Sequence, residues 1–157
     1  YVIGADISEI LLDLAKTNYS NIKNLEFKYC DVQNYEFEKK IFNKVISRFG
    51  VMFFEDSVAA FANLARALKS TGRLTFVCWQ SVDRNAWVHL PRDIVAQHIV
   101  LDGPGTKSNA PGPFAFGDEG RALSLLNQAG FDDVTVEAHE TDVDAMKVES
   151  FHIVAQF

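Results

Sequence analysis

Cysteine, methionine and proline are scarce: two, two and four in 157 residues. Cys30 and Cys78 both lie in apolar runs, and no Cys/His spacing resembles a zinc site. A disulfide scaffold and a zinc module are therefore excluded, and the two thiols read as buried free cysteines of a reducing cytoplasm. No apolar run reaches the roughly 18 residues that a membrane span needs. Positive charge is also short, with 15 Lys and Arg against 21 Asp and Glu, a net charge of −6 and no basic stripe. That balance argues against a nucleic-acid backbone as the main partner. The four histidines, His89, His98, His139 and His152, are isolated, and no spacing supports a Ser/His/Asp or Cys/His catalytic set.

Apolar and aromatic residues are plentiful, including 13 phenylalanines. One domain with a substantial core is expected over residues 1–157. Residues 1–6 read as a short strand ending in Asp6. Ser8 then caps a helix whose Ile10, Leu11, Leu14 and Ala15 recur at helical spacing. Residues 25–30 alternate as a second strand ending at Asp31, and 42–49 form a third. A helix opens at Glu55-Asp56-Ser57, turns Phe61, Ala62, Leu64 and Ala65 inward, and is expected to end at Gly72 in a left-handed turn. Residues 73–80 are a fourth strand. The apolar strand–helix–strand order predicts an α/β fold: a mostly parallel sheet with helices on both faces. Residues 85–100 read as a helix started or kinked by Pro91, and 102–117 as a mobile Gly/Pro-rich loop. A helix capped by Asp118 follows, then a fifth strand over 134–139. The tail 148–157 fits helix or strand, and helix is favoured because it leaves fewer unpaired backbone groups.

Three strand ends carry polar groups: Asp6, Asp31 and Ser47-Arg48. Ligands of open α/β sheets sit outside the carboxyl ends of the strands. Asp6 can accept two hydrogen bonds from vicinal ribose hydroxyls, with small Gly4 and Ala5 allowing close approach; equally, it can cap the following helix. Asp31 can accept from an exocyclic amine such as that of adenine, or close its own turn. The pairing matters more than either member, since consecutive strands ending in aspartate suit an adenosine held by sugar and base. Phe53 and Phe54 read as core, Arg48 as half of an ion pair or a substrate contact, Trp79 as a residue facing substrate, and Trp87 as packing.

These residues resemble the class I S-adenosylmethionine-dependent methyltransferases, in the small-molecule branch that includes ubiquinone and menaquinone methyltransferase-like enzymes. The resemblance runs over residues 1–139, through segments 2–8, 30–33, 42–54, 68–74, 113–118 and 129–134. It implies a Rossmann-like sheet of order 3, 2, 1, 4, 5, 7, 6, with this chain supplying strands 2 to 6 and lacking the first and the last. It also implies S-adenosyl-L-methionine as cofactor. Asp6 then takes the ribose hydroxyls, Ile7 packs on the adenine, Asp31 accepts from its amine and Val32 donates a backbone N–H. Ser47 and Phe49 then lie beside the methionine half. The family's glycine-rich loop, which cradles that half, does not occur here. The stretch accordingly reads as a partial domain with weak cofactor affinity and with unpaired sheet edges open to self-association. Residues 85–117 read as a cover over a small, partly apolar acceptor. No general base or metal ligand is nominated. A nicotinamide-dependent oxidoreductase, whose strand-end aspartate also binds ribose, and a non-catalytic cofactor-binding or assembly module are the rival readings.

Overall fold

A computed structural model describes residues 1–100, 110–140 and the backbone of 155–156. The elements in chain order are β1 (Val2–Asp6), α1 (Glu9–Asn18), β2 (Leu25–Tyr29), β3 (Phe42–Arg48), α2 (Ser57–Ala67), β4 (Leu68–Val77), α3 (Ala86–Ala96), α4 (Glu119–Gln128) and β5 (Ala155–Gln156). Short 3₁₀ turns occupy Val51–Phe53 and Val82–Arg84. Three of the four helices, α1, α2 and α4, start at a side-chain cap. Ser8 accepts from the Leu11 N–H, Asp56 from Ala59 and Asp118 from Arg121. Such caps are each worth about 1 kcal/mol.

The strands form two sheets. β1 runs parallel to β2, with Val2 opposite Leu25 and Asp6 opposite Tyr29. β3 runs parallel to β4, and β5 lies antiparallel on the other side of β4. No ladder joins β1 to β3 among the described residues. The α/β class, the parallel pairs and the two adjacencies implied by the resemblance are all present.

The main core lies where α2 and α4 pack beside β4. Phe61, Phe76, Leu74, Met52 and Leu126 are fully buried there. Phe61 stacks on Phe76 at 5.5 Å and meets Phe54 edge-on at 5.6 Å. Phe54 is thus core as expected, whereas Phe53 is exposed. On α2, Ala60 and Ala67 turn inward with Phe61 and Leu64, and Ala62 stays outside.

Several expectations change. The helix before β4 ends at Ala67, not at Gly72, because Leu68 is already extended (φ −75°, ψ 145°). Gly72 lies inside β4, where the register shifts between Phe42 and Lys44. A side chain there would come within 2.9 Å of the Lys69 carbonyl, so close approach explains this glycine. Gly4 has a similar role: the Phe27 ring fills the space its Cβ would take, at 2.9 Å, so it serves strand packing and not ligand approach. The expected face of α1 is not covered, since Leu12 is buried and Ile10, Leu11 and Leu14 are exposed.

Residues 134–139 form no strand. They still meet the rest of the fold, since Val134 and Val136 pack against the core. In the tail, Ala155 and Gln156 pair with Phe76 and Thr75, so these two residues are strand where helix was favoured, and an antiparallel strand does flank β4. The rest of 148–157 lies outside the described residues. Of the loop 102–117, residues 101–109 also lie outside them. Its last part is docked, not mobile: Phe116 and Ala115 are buried, and the Gly112 N–H donates to the Met52 carbonyl at 2.9 Å.

Candidate functional site

β1 and β2 end together. The Cys30 N–H donates to the Asp6 carbonyl at 3.0 Å, extending the ladder one step past the strands. Asp31 then stands two residues beyond the partner of Asp6. Strand spacing and rise put the two Cα atoms roughly 8 Å apart at one sheet edge. The pairing of carboxylates expected from the sequence is present.

The two carboxylates differ in what they already hold. Asp6 Oδ1 accepts the Ser8 N–H at 2.8 Å, which is the capping reading in a local turn. Among the described residues nothing takes Oδ2, so the ribose reading also stands. Ile7 beside it is exposed. Asp31 is more heavily engaged. Its Oδ1 accepts the Gln33 N–H at 2.9 Å, and its oxygens also receive the Gln33 and Asn34 side-chain amides at 3.2–3.3 Å. An outside amine must therefore displace or share with a side-chain amide. That exchange is feasible at Oδ2 for the exposed Asn34 amide, which can turn to water, whereas the Gln33 amide is held by its bond to Glu55 and the backbone N–H is fixed. The Val32 N–H has no partner among the described residues, while its side chain packs on the core.

This turn is tied to the other sheet. The Asn63 amide on α2 donates to both the Val32 and Tyr35 carbonyls at 2.9 Å. The Gln33 Oε1 accepts the Glu55 N–H at 2.7 Å, just after β3. Phe37 carries the link on into apolar packing, meeting Phe42 edge-on at 5.7 Å. Sequence reasoning missed Asn63 and Gln33. A signal existed for Asn63: it lies three residues after Ala60 and four before Ala67, both buried, and so shares their helix side.

Ser47 and Phe49 lie at the carboxyl end of β3, beside Phe76 and Val77 of β4. Phe49 has φ +59°, a left-handed conformation uncommon for a bulky residue. Its N–H donates to the Val77 carbonyl at 3.0 Å, which fixes that conformation. Arg48 is exposed and pairs with no carboxylate among the described residues, so the ion-pair reading is not supported. Two clefts lie elsewhere, one of about 510 Å³ beside residues 92–100 and one of about 300 Å³ between the start of α2 and α4. Neither includes Asp6, Asp31, Ser47 or Phe49, and the strand-end edge is an open surface. The strand-end edge carries the two aspartates and the Val32 N–H, which these clefts do not include. Burial raises the thiol pKa of Cys30 and pushes that of Cys78 up to about 11, so both stay protonated at neutral pH.

Comparison with known proteins gives a consistent set of likenesses. Residues 1–76 match a family model described as a methyltransferase domain. The demethylmenaquinone methyltransferase of Staphylococcus saprophyticus is 29% identical over 154 residues, covering 92% of this chain and 65% of that protein. The chain thus spans a little under two thirds of the length of the curated relatives it matches. Two solved structures share the fold. The trans-methyltransferase CalH, in complex with SAH, has a TM-score of 0.62 at 20% identity, covering 84% of this chain and 36% of that one. A phosphoethanolamine N-methyltransferase of Haemonchus contortus has a TM-score of 0.58 at 22% identity, covering 87% and 29%.

The clamp generates a stability prediction. Asn63→Ala leaves the Val32 and Tyr35 carbonyls without their donor and is expected to cost about 1–2 kcal/mol in urea unfolding. A loss within error of zero would mean that the turn does not depend on Asn63.

Proposed function

We propose that the chain, whose residues 1–76 match a methyltransferase-domain model, is the cofactor-binding part of a class I S-adenosylmethionine-dependent methyltransferase acting on a small molecule. The observation that carries this reading is the Asp6/Asp31 pair at one sheet edge, with an Asp6 oxygen and the Val32 N–H unused among the described residues. The named activity of the staphylococcal relative favours an acceptor with a flat ring. When bound, S-adenosylmethionine supplies a methyl group activated by its sulfonium. Asp6 accepts from the ribose hydroxyls, and exposed Ile7 packs against the adenine. Asp31 exchanges a side-chain amide for the adenine amine, while the Val32 N–H donates to the ring. Ser47 and Phe49 border the methionine half. These residues fit the adenosine half well.

Methyl transfer from a sulfonium needs alignment and exclusion of water more than acid–base chemistry. Residues 85–117 supply that exclusion in our reading, as a cover over the acceptor within one domain spanning 1–157. Burial of Phe116 and Ala115 supports a fixed base for the cover. A cytoplasmic setting is part of the same proposal and rests on two free thiols. Among the described residues no helix is long and apolar enough to cross a membrane.

Two measurements test this reading. S-adenosylhomocysteine at millimolar concentration is expected to raise the melting temperature, and Asp6→Ala to abolish the rise without lowering the unliganded value by more than a degree or two. Stabilisation by NAD but not by S-adenosylhomocysteine would overturn it in favour of an oxidoreductase; cofactor binding without methyl transfer to any of a panel of acceptors would favour the non-catalytic module. Self-association is the second part. Among the described residues β1 and β3 each have an unpaired edge, and Ile46 of β3 is 76% exposed; such edges are templates for strand pairing. Sedimentation velocity at tens of micromolar is expected to show dimers or larger species; a lone monomer boundary would contradict it.

A further inference from the structure

Trp79 and Trp87 have no part in the proposed cofactor contacts, yet they stand at the same strand ends. The Phe49 ring stacks on Trp79 at 4.7 Å and 15°. Trp79 in turn meets Trp87 at 5.2 Å, tilted by 57°. A 15° pair covers ring faces; a 57° pair opens a corner between them. Trp87 keeps 49% of its surface exposed. Packing alone, the role expected from the sequence, would bury it further.

The corner is rigidly built. Asn85, buried with 8% exposure, donates both amide hydrogens, to the Gln80 and Ser81 carbonyls at 3.0 and 2.9 Å. Its Oδ1 accepts the Trp87 indole N–H at 3.3 Å. The polar handle of Trp87 is thereby satisfied within the protein, and what remains for a ligand is apolar ring surface. From another side, Gly117 presses on the same backbone: a Cβ there would come within 2.8 Å of Ser81. Phe49 holds its ring against Trp79 through a left-handed backbone, φ +59°. Local strain of this kind persists where surrounding structure over-determines it, and it concentrates at functional sites.

We propose that Trp79 and Trp87, backed by Phe49, form the stacking surface for a flat conjugated ring of the methyl acceptor. The inference rests on the methyl-transfer reading and deepens it by naming the residues that hold the acceptor ring. No carboxylate belongs to the set, so a neutral ring suits it better than an ammonium group. Asn85 is a positioning residue that sets the indole of Trp87 and touches no substrate. The place is right for transfer, since the corner and Phe49 occupy the carboxyl ends of β3 and β4, where ligands of such sheets bind.

The chain has only these two tryptophans, so intrinsic fluorescence reads the corner directly. The probe is 4-nitrophenol, with cyclohexanol as a non-planar control, in titrations corrected for absorbance. Saturable quenching by 4-nitrophenol and none by cyclohexanol is expected. Trp87→Ala should weaken nitrophenol binding, followed by saturation-transfer NMR, at least tenfold, and Trp87→Phe should keep it within threefold. Trp87 is exposed enough for both variants to fold. Quenching that never saturates, or equal binding by wild type and Trp87→Ala, overturns the proposal. S-adenosylhomocysteine binding is measured in parallel and should change less than twofold in both variants. If wild type binds nitrophenol but no S-adenosylhomocysteine, the methyl-transfer reading fails and takes the acceptor assignment with it, while ring stacking itself stands.

Discussion

The arrangement depends on one side-chain amide. Asn63 reaches from α2 to the Val32 and Tyr35 carbonyls and so fixes the turn that follows β2. No backbone ladder joins β1–β2 to β3–β4 among the described residues. Asn63 and the Gln33–Glu55 bond therefore help hold the strand ends of one pair next to the βα connection of the other. Val32 and Phe37, packed on the core, and the Phe37–Phe42 contact add apolar support to that hold. Together these contacts keep the turn after β2 against α2 and the segment that precedes that helix.

Along the strand ends the chemistry is graded. Among the described residues Asp6 has an acceptor oxygen to spare, Asp31 has amide-filled oxygens of which Oδ2 can exchange its Asn34 partner, and Phe49 and Trp79 are aromatic. In the proposed reading the amine-bearing ring meets Asp31, the hydroxylated sugar between ring and reactive end meets Asp6, and the reactive end points toward the aromatic residues. The thiols contribute packing and not reactivity. Cys30 is buried, and Cys78, with its pKa pushed up to about 11, follows β4 directly below the Trp79 ring in sequence.

The parallel α/β class and the Asp6/Asp31 pair were legible because both follow from local pattern: apolar runs, strand-end carboxylates and helix caps. The failures have physical causes too. Ile10, Leu11 and Leu14 have helical spacing, but periodicity says only that a face is apolar, not that something covers it. Residues 134–139 have strand composition and pack on the core through Val134 and Val136, yet form no strand among the described residues. Gly72 looked like a helix stop, and its use is close backbone approach inside β4. Gly4 was assigned to ligand approach, and the neighbour that needs its space is Phe27. The roles of Asn63, Gln33 and Asn85 were hidden because each bridges segments whose nearness appears only on folding.

The central claim is that Asp6 to Ser8, the Asp31 turn and the end of β3 act as one site. Amide chemical shifts of the isotope-labelled chain, followed through a titration with S-adenosylhomocysteine to millimolar concentration, test it most directly. The account predicts concerted shifts at residues 6–8, 31–33 and 47–50, all following one binding curve. Shifts confined to one of these segments, or centred on residues 92–100, would contradict it.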